Sequence, residues 1–284
     1  MTYRQLLAEN ADFRRLWTGQ AVSEIGDWLN NVAVLALTIQ LAGPNMVARA
    51  IALYALARHV PLFLFGPLAG VVVDRLDRRR VMIVADVTRA VLALGFLVAT
   101  RLSSLWLIYT VGALLFSVSS FFNAAKRAAI PNIVRGPEQL LGANSLSAST
   151  TAATIALGSA LGGGLAAFIS REVVFILNSA TFLASALMIR RISGQTRQRS
   201  ESALASARGA PVRAAFNEFR EGLRYVRGHD VLFAVFIVAA GWGLGNGVAR
   251  ALYSIFGARL GVESASGLVA RPTDFGIAVL FVAM

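Results

Sequence analysis

The sequence predicts an all-α protein that crosses a lipid bilayer several times. Hydrophobic residues make up 56% of the 284 residues and charged residues only 15%, too apolar a balance for a soluble domain of this length. The net charge is +12, but the basic residues stand in short blocks between apolar stretches and do not form one continuous face. This arrangement indicates a lipid bilayer, and not nucleic acid, as their partner. Because the chain has no cysteine, disulfides and thiolate metal sites are excluded.

Apolar stretches of membrane length follow one another along the chain. A bilayer core about 30 Å thick needs about 20 helical residues. An eighth apolar stretch begins near Phe275 and ends with the chain about ten residues later. We divide the chain into a six-span bundle over 1–190, a linker over 191–230 and the start of a second bundle over 231–284. The seven complete stretches are 16–41, 50–73, 81–100, 104–125, 147–169, 173–189 and 231–255.

The basic residues of the connections predict the orientation of these spans. The N-terminus and the connections 74–80, 126–136 and 190–230 hold nineteen Lys and Arg residues, whereas the alternate connections hold five. This difference predicts a cytoplasmic N-terminus and linker. The linker also contains an amphipathic pattern over 214–228, which predicts a helix that lies either on the membrane surface or on protein.

Ionisable side chains within apolar spans are costly and point to function. In span one, four polar residues recur at helical spacing and are predicted to face a central cavity: Gln20, Glu24, Asp27 and Asn31. Asp27 is about 16 Å into the span, near the bilayer midplane, which makes it a candidate proton carrier. Equally, it can be a permanently ionised partner of Arg58 in span two or Arg89 in span three. Asp86 is spaced to pair with Arg89, and a structural role is favoured for it.

The segment GVVVDRLDRRR, residues 70–80, places a dense charge cluster between spans two and three. It matches the pattern G-x-x-x-D-[RK]-x-[GD]-[RK]-[RK] at Gly70, Asp74, Arg75, Asp77, Arg78 and Arg79. Six spans, a long basic linker and this motif make the chain resemble the major facilitator superfamily. The run 56–93 and the segments FRRLWTGQAVSEIGDWL, LLGANSL and EFREGLRYVRGH are similar to the branch that contains macrolide efflux pumps, enterobactin exporters and transmembrane secretion effectors.

This resemblance covers the chain from about residue 12 onward and implies a fold of two six-span halves with the substrate between them. It implies that the six motif residues form a latch between the halves, that the substrate is a small molecule, and that no cofactor is bound. Span five contains LGSALGGGL, whose Gly158, Gly162 and Gly163 resemble the antiporter motif G-P-x-x-G-G with Ser159 in place of proline. Close helix packing explains these glycines equally well.

The resemblance therefore implies a multi-pass transporter of the bacterial inner membrane. The most specific function that the resemblance implies is that of an exporter that exchanges protons for small amphipathic molecules such as drugs, macrolides or siderophores. An alternative is an inactive truncated fragment or regulatory remnant of such a transporter, because span eight is incomplete. An intramembrane enzyme is disfavoured, since two distant histidines and no cysteine provide neither a nucleophile–base pair nor a metal cluster.

Overall fold

The computed structural model of the chain describes residues 2–168, 170–193, 220–222, 224–238 and 241. Regular structure over these residues is entirely helical, which confirms the predicted fold class. Helices α2 to α7 correspond one for one to the first six predicted spans, and a short helix α1 precedes them. Their bounds are α1 Tyr3–Glu9, α2 Ala11–Ala42, α3 Val47–Arg75, α4 Arg78–Arg101, α5 Leu105–Ile133, α6 Gly136–Phe168 and α7 Arg171–Arg190.

Most of these helices have the length and composition of membrane spans. Within the described residues, five segments are long and apolar enough to cross a bilayer: Ala11–Ala42, Val47–Gly66, Arg78–Arg101, Leu105–Ile133 and Arg171–Arg190. Helix α6 has 33 residues, which corresponds to about 50 Å of helix. Several helices are therefore longer than a bilayer core requires and extend beyond it.

The helix ends differ from the predicted spans where polar residues continue a helix. The connection predicted over 126–136 is helical except at Val134 and Arg135, because α5 continues through Pro131 to Ile133 and α6 begins at Gly136. Apolarity sets which residues can lie in hydrocarbon, but it does not set where a helix stops. Helix α1 was not predicted either, although Thr2 and Gln5 form a capping box at its start.

The helices pack as a bundle. Helix α3 packs on α5, α5 on α4, α4 on α7, α7 on α2 and α2 on α6, and α3 also contacts α2. Helices α2 and α5 touch each other within this bundle, and we call this contact the α2–α5 seam. Helices α2 and α7 approach each other closely at Gly26, where an added Cβ would lie 2.2 Å from Thr181 Oγ1 of α7.

One end of the bundle collects the connections that the sequence marks as basic. Asn10 Nδ2 donates to the carbonyl of Ile133 at 3.0 Å, which ties the start of α2 to the end of α5. Arg15 Nη1 donates to the carbonyl of Arg191 at 2.7 Å, and Arg79 donates to the carbonyl of Arg190. We call this the basic end. The alternation predicted from the arginines is confirmed here, because the chain segments that it assigned to one side meet at one end.

Three predictions concern segments that lie largely outside the described residues. The amphipathic helix over 214–228 is described only at 220–222 and 224–228, where 220–222 and 224–227 are helical. Span seven is described at 231–238, which is helical, and at 241. The eighth span lies outside the described residues. The division of the chain at 190 and 230 stays a prediction.

Candidate functional site

Three of the four predicted polar residues of α2 meet a cation, each from a different helix. Glu24 is next to Lys126 of α5, Asp27 is next to Arg89 of α4, and Asn31 accepts a hydrogen bond from Arg58 of α3. Gln20 lies one turn before Glu24 and donates to it. The helical period of α2 explains why the four side chains share a face, and we call them the polar stripe.

Glu24 lies in a dense group of donors between α2, α5 and α6. Its Oε1 accepts from Gln20 Nε2 at 2.8 Å and is 3.5 Å from Lys126 Nζ. The hydroxyl of Thr151 is 3.2 Å from the same oxygen, and that of Thr154 is 3.1 Å from Oε2. Both carboxylate oxygens are therefore stabilised by hydrogen bonds as well as by the lysine.

Asp27 lies at the middle of α2 and shares Arg89 with a second carboxylate. Arg89 Nη1 is 3.8 Å from Asp27 Oδ2, and Arg89 also pairs with Asp86, one turn earlier in α4, as the spacing of the two residues predicts. The guanidinium lies between the rings of Phe122 and Phe182, 4.1 and 4.4 Å from their centroids. Asp86 is fully buried, whereas the side chain of Asp27 is 33% exposed. Of the two carboxylates, only Asp27 is accessible.

Arg58 of α3 lies beside Asn31, the last residue of the polar stripe. It donates to Asn31 Oδ1, and its guanidinium lies 4.6 Å from the ring centroid of Phe116 and 5.6 Å from that of Trp28. Because α2 and α5 run in opposite directions, Glu24, Asp27 and Asn31 lie beside successively earlier residues of α5. These three residues cover about 10 Å along α2. The structure thus brings together seven predicted residues: Gln20, Glu24, Asp27, Asn31, Arg58, Asp86 and Arg89.

The charge cluster between α3 and α4 has two kinds of residue. Asp77 caps α4 by accepting from the backbone N–H of Arg79 at 3.0 Å, and it lies 3.8 Å from Arg80. Arg78 is buried and donates to the carbonyl of Ala128 in α5 at 2.9 Å. Together with the bond from Arg79 to the end of α7, these contacts hold the start of α4 within the bundle. Their first effect is structural.

Asp74 and Arg75 differ from the other motif residues. Asp74 is exposed, Arg75 is half-buried, and neither makes a hydrogen bond or ion pair within the part of the chain that the structure describes. A Cβ added at Gly70 would meet nothing there within 4 Å. A cavity of about 590 Å³ lies beside these residues, lined by Arg75, Asp77 and Arg80 and by apolar side chains of α3, α4 and α5. Asp74 and Arg75 therefore have no polar partner among the described residues, and Arg75 faces this cavity.

The glycines of span five lie in the last three turns of α6. Gly158, Gly162 and Gly163 follow Thr154, which stands where the resembling motif has an earlier glycine. Thr154 has a contact of its own, since its hydroxyl lies near Glu24. The departure from the motif therefore adds a polar group to the surroundings of the stripe.

Sequence reasoning missed Lys126, Thr151 and Thr154 as members of the site. Lys126 was assigned to a connection, but it lies inside α5, one turn after Phe122. A signal was present, because Lys126 is the only lysine among 27 basic residues. Its partner was not predictable, since that depends on how α5 packs against α2.

The bundle of apolar helices, the polar stripe and the charged turn between α3 and α4 are typical of a membrane transporter. The family model described as transmembrane secretion effector matches residues 7–268. The chain belongs to this family, a branch of the major facilitator superfamily, and is a multi-pass membrane protein.

Several relatives are assigned as exporters. A bacilysin exporter, BacE of Bacillus amyloliquefaciens, is 30% identical over 230 residues, which are 80% of this chain and 54% of BacE. The MFS-type transporter YfiS of Bacillus subtilis is 28% identical over 229 residues, 79% of this chain and 51% of YfiS. Macrolide efflux protein A of Streptococcus pyogenes is 38% identical over 74 residues, 26% of this chain and 18% of that protein. The chain spans about half the length of the relatives that it matches most extensively.

Proposed function

We propose that this chain carries the first six-helix unit of a proton-coupled exporter of small amphipathic molecules in the bacterial inner membrane. Membership of a transporter family supports transport, and relatives assigned to bacilysin and macrolide export support the outward direction. The nineteen-to-five division of basic loop residues supports a cytoplasmic basic end and N-terminus.

The observation that carries proton coupling is the position of Asp27. It is at the middle of a 32-residue helix, its carboxylate is 33% exposed, and its cation is 3.8 Å away and also paired with Asp86. A proton that binds Asp27 therefore leaves Arg89 with a carboxylate partner, so no guanidinium is stranded in the membrane. Asp27 is the carboxylate that takes up and releases the coupled proton.

The latch is the second part of the proposal. Asp74 and Arg75, which have no polar partner within the described residues, pair with the second half of the transporter when it is open to the outside. A boundary carboxylate can accept hydrogen bonds from a facing helix N-terminus, and an arginine can clamp a carboxylate. The turn is held in place by Asp77, Arg78 and Arg79, so that Asp74 and Arg75 are positioned to pair with the second half.

The Asp27→Asn variant of the full-length transporter in liposomes tests proton coupling. We expect it to bind substrate but to lose accumulation driven by an imposed pH gradient. Glu138→Gln, at an exposed position in the first turn of α6, is the matched control and should pump normally. Gradient-driven accumulation by Asp27→Asn with unchanged pH dependence would assign Asp27 a structural role.

The latch and the orientation need separate measurements. Asp74→Asn should insert normally and transport poorly, and wild-type efflux by this variant would reduce the motif to a topology signal.

For orientation, single cysteines replace two exposed residues, Glu9 at the basic end and Asn45 at the opposite end. An impermeant thiol reagent applied to whole cells should label only the Asn45→Cys protein; labelling only of Glu9→Cys would reverse the orientation.

A further inference from the structure

Lys126 and Glu24 form an ion pair whose two members are unequally satisfied. Besides the lysine, Glu24 has Gln20 as a donor and the hydroxyls of Thr151 and Thr154 within hydrogen-bond distance, and each hydroxyl shares its one proton with a carbonyl of α6. Lys126 has three N–H donors, and its one acceptor among the described residues is Glu24, at 3.5 Å. The carboxylate can therefore stay in place without the lysine, whereas the ammonium retains unused donors.

The other two cations beside the polar stripe have more partners. Arg89 pairs with two carboxylates and lies near two rings, although its buried Nε has no hydrogen-bond partner among the described residues. Arg58 donates to Asn31 and stacks near Phe116. Lys126 makes neither a ring contact nor a backbone hydrogen bond within the same part of the chain. Its side chain is 12% exposed, and that of Glu24 is 19% exposed. Lys126 is thus the cation along the α2–α5 seam with capacity to bind another anion.

We propose that Lys126 binds the acidic group of the transported molecule, so that the preferred substrates are amphipathic molecules with a carboxylate. This inference rests on the proposed function, because it places the substrate at the α2–α5 seam. The carboxylate accepts from the N–H groups of Lys126 that do not point at Glu24, and the apolar body contacts the surrounding helices. Glu24 competes for the same ammonium, and its contacts with Gln20, Thr151 and Thr154 hold it nearby when the substrate binds.

A charged hydrogen bond in a partly buried site is strong enough to set specificity. Bonds to charged groups contribute about 1.5–3 kcal/mol, which corresponds to a factor of about ten or more in affinity. A molecule that lacks the acidic group gains none of this, while the cost of desolvating Lys126 is unchanged. The site therefore discriminates between an acid and its ester.

The test uses two dyes that differ only at this group. Rhodamine B has a free carboxylate, and its methyl ester does not. We expect the purified full-length transporter in lipid nanodiscs to bind rhodamine B about tenfold more tightly than the ester, measured by fluorescence anisotropy against empty nanodiscs. Lys126→Met should reduce this ratio to about one, and Lys126→Arg should retain it. Glu24→Gln should raise the ratio, because it removes the competing carboxylate.

The ratio of affinities separates substrate binding from a structural role. If Lys126 only neutralises Glu24, Lys126→Met and Glu24→Gln both lower stability and leave the ratio unchanged, because the folded fraction cancels. Should Lys126→Met not fold, Glu24→Gln still decides, because substrate binding by Lys126 predicts a raised ratio and a structural role predicts an unchanged one. A wild-type ratio near one, or no binding of either dye, overturns the proposal.

Failure of the proposed function appears differently. A transporter that prefers the acidic dye but does not accumulate it under a pH gradient retains the Lys126 site and refutes proton coupling. A transporter that pumps the ester and the acid equally well retains coupling and refutes the site.

Discussion

Replacing Arg89 by methionine gives a quantitative test of the charge network inside the bundle. Arg89 is almost fully buried and pairs with Asp86, which is 0% exposed. Removing the cation leaves Asp86 as an uncompensated charge in the interior, and breaking a buried pair in this way costs about 3–5 kcal/mol. Methionine keeps part of the contact with Phe122 and Phe182, since a thioether packs well against rings. We therefore expect Arg89→Met to lower the free energy of unfolding by about 3–5 kcal/mol.

A second substitution identifies the cause of that loss. In the double variant Arg89→Met with Asp86→Asn, the buried charge has gone along with its partner, and replacing both members of a buried pair by neutral groups is often close to neutral. The double variant should therefore be more stable than Arg89→Met alone. Asp27 also loses its neighbour in both variants, but its side chain is 33% exposed and the pair is 3.8 Å long, so this effect is smaller.

Reversible unfolding in mixed detergent micelles, followed by circular dichroism, measures these differences. Asp86→Asn alone is the control, because it leaves Arg89 beside Asp27. Equal stability of the single variant Arg89→Met and the double variant would refute the reasoning. In that case packing against the two rings, and not the ion pair, would account for the contribution of Arg89.

Three further predictions concern the helices that hold the site, each checked by thermal unfolding. Gly26→Ala should lower the free energy of unfolding by about 1–3 kcal/mol, because its Cβ would overlap Thr181, whereas Gly70→Ala, with no neighbour within 4 Å, should be neutral or slightly stabilising; equal effects would contradict the close approach of α2 and α7. Asn10→Ala should cost about 1–2 kcal/mol, since Asn10 caps α2 and binds the end of α5, and an unchanged midpoint would show that neither contact matters. Asp77→Ala should cost about 1 kcal/mol while Asp77→Asn is tolerated, because asparagine also caps helices; equal losses would assign the effect to the charge.

Two ion pairs beside the polar stripe show why some site contacts could be predicted and others could not. Asp86 and Arg89 are three residues apart on one helix, so their pairing follows from the helical period alone. Glu24 and Lys126 are far apart in the sequence and meet only because α2 and α5 touch at the α2–α5 seam. The length of α5 was not predictable from hydropathy either. Hydropathy located the membrane segment of α5 but not the continuation of the helix through Pro131, and this continuation places Lys126 in the helix instead of a connection.

The sequence by itself determined the fold class, the existence of helices α2 to α7, which basic connections lie together at one end of the bundle, and the face that the polar stripe occupies. These properties depend on composition, length and a period of 3.6 residues, which are local quantities. Only the tertiary structure decided which cations meet Glu24, Asp27 and Asn31, that Arg89 is shared by two carboxylates, and that Asp74 and Arg75 have no polar partner within the described residues. The reason is physical: a helix period specifies the direction of a side chain relative to its own axis, whereas the neighbour in that direction depends on how all six helices pack.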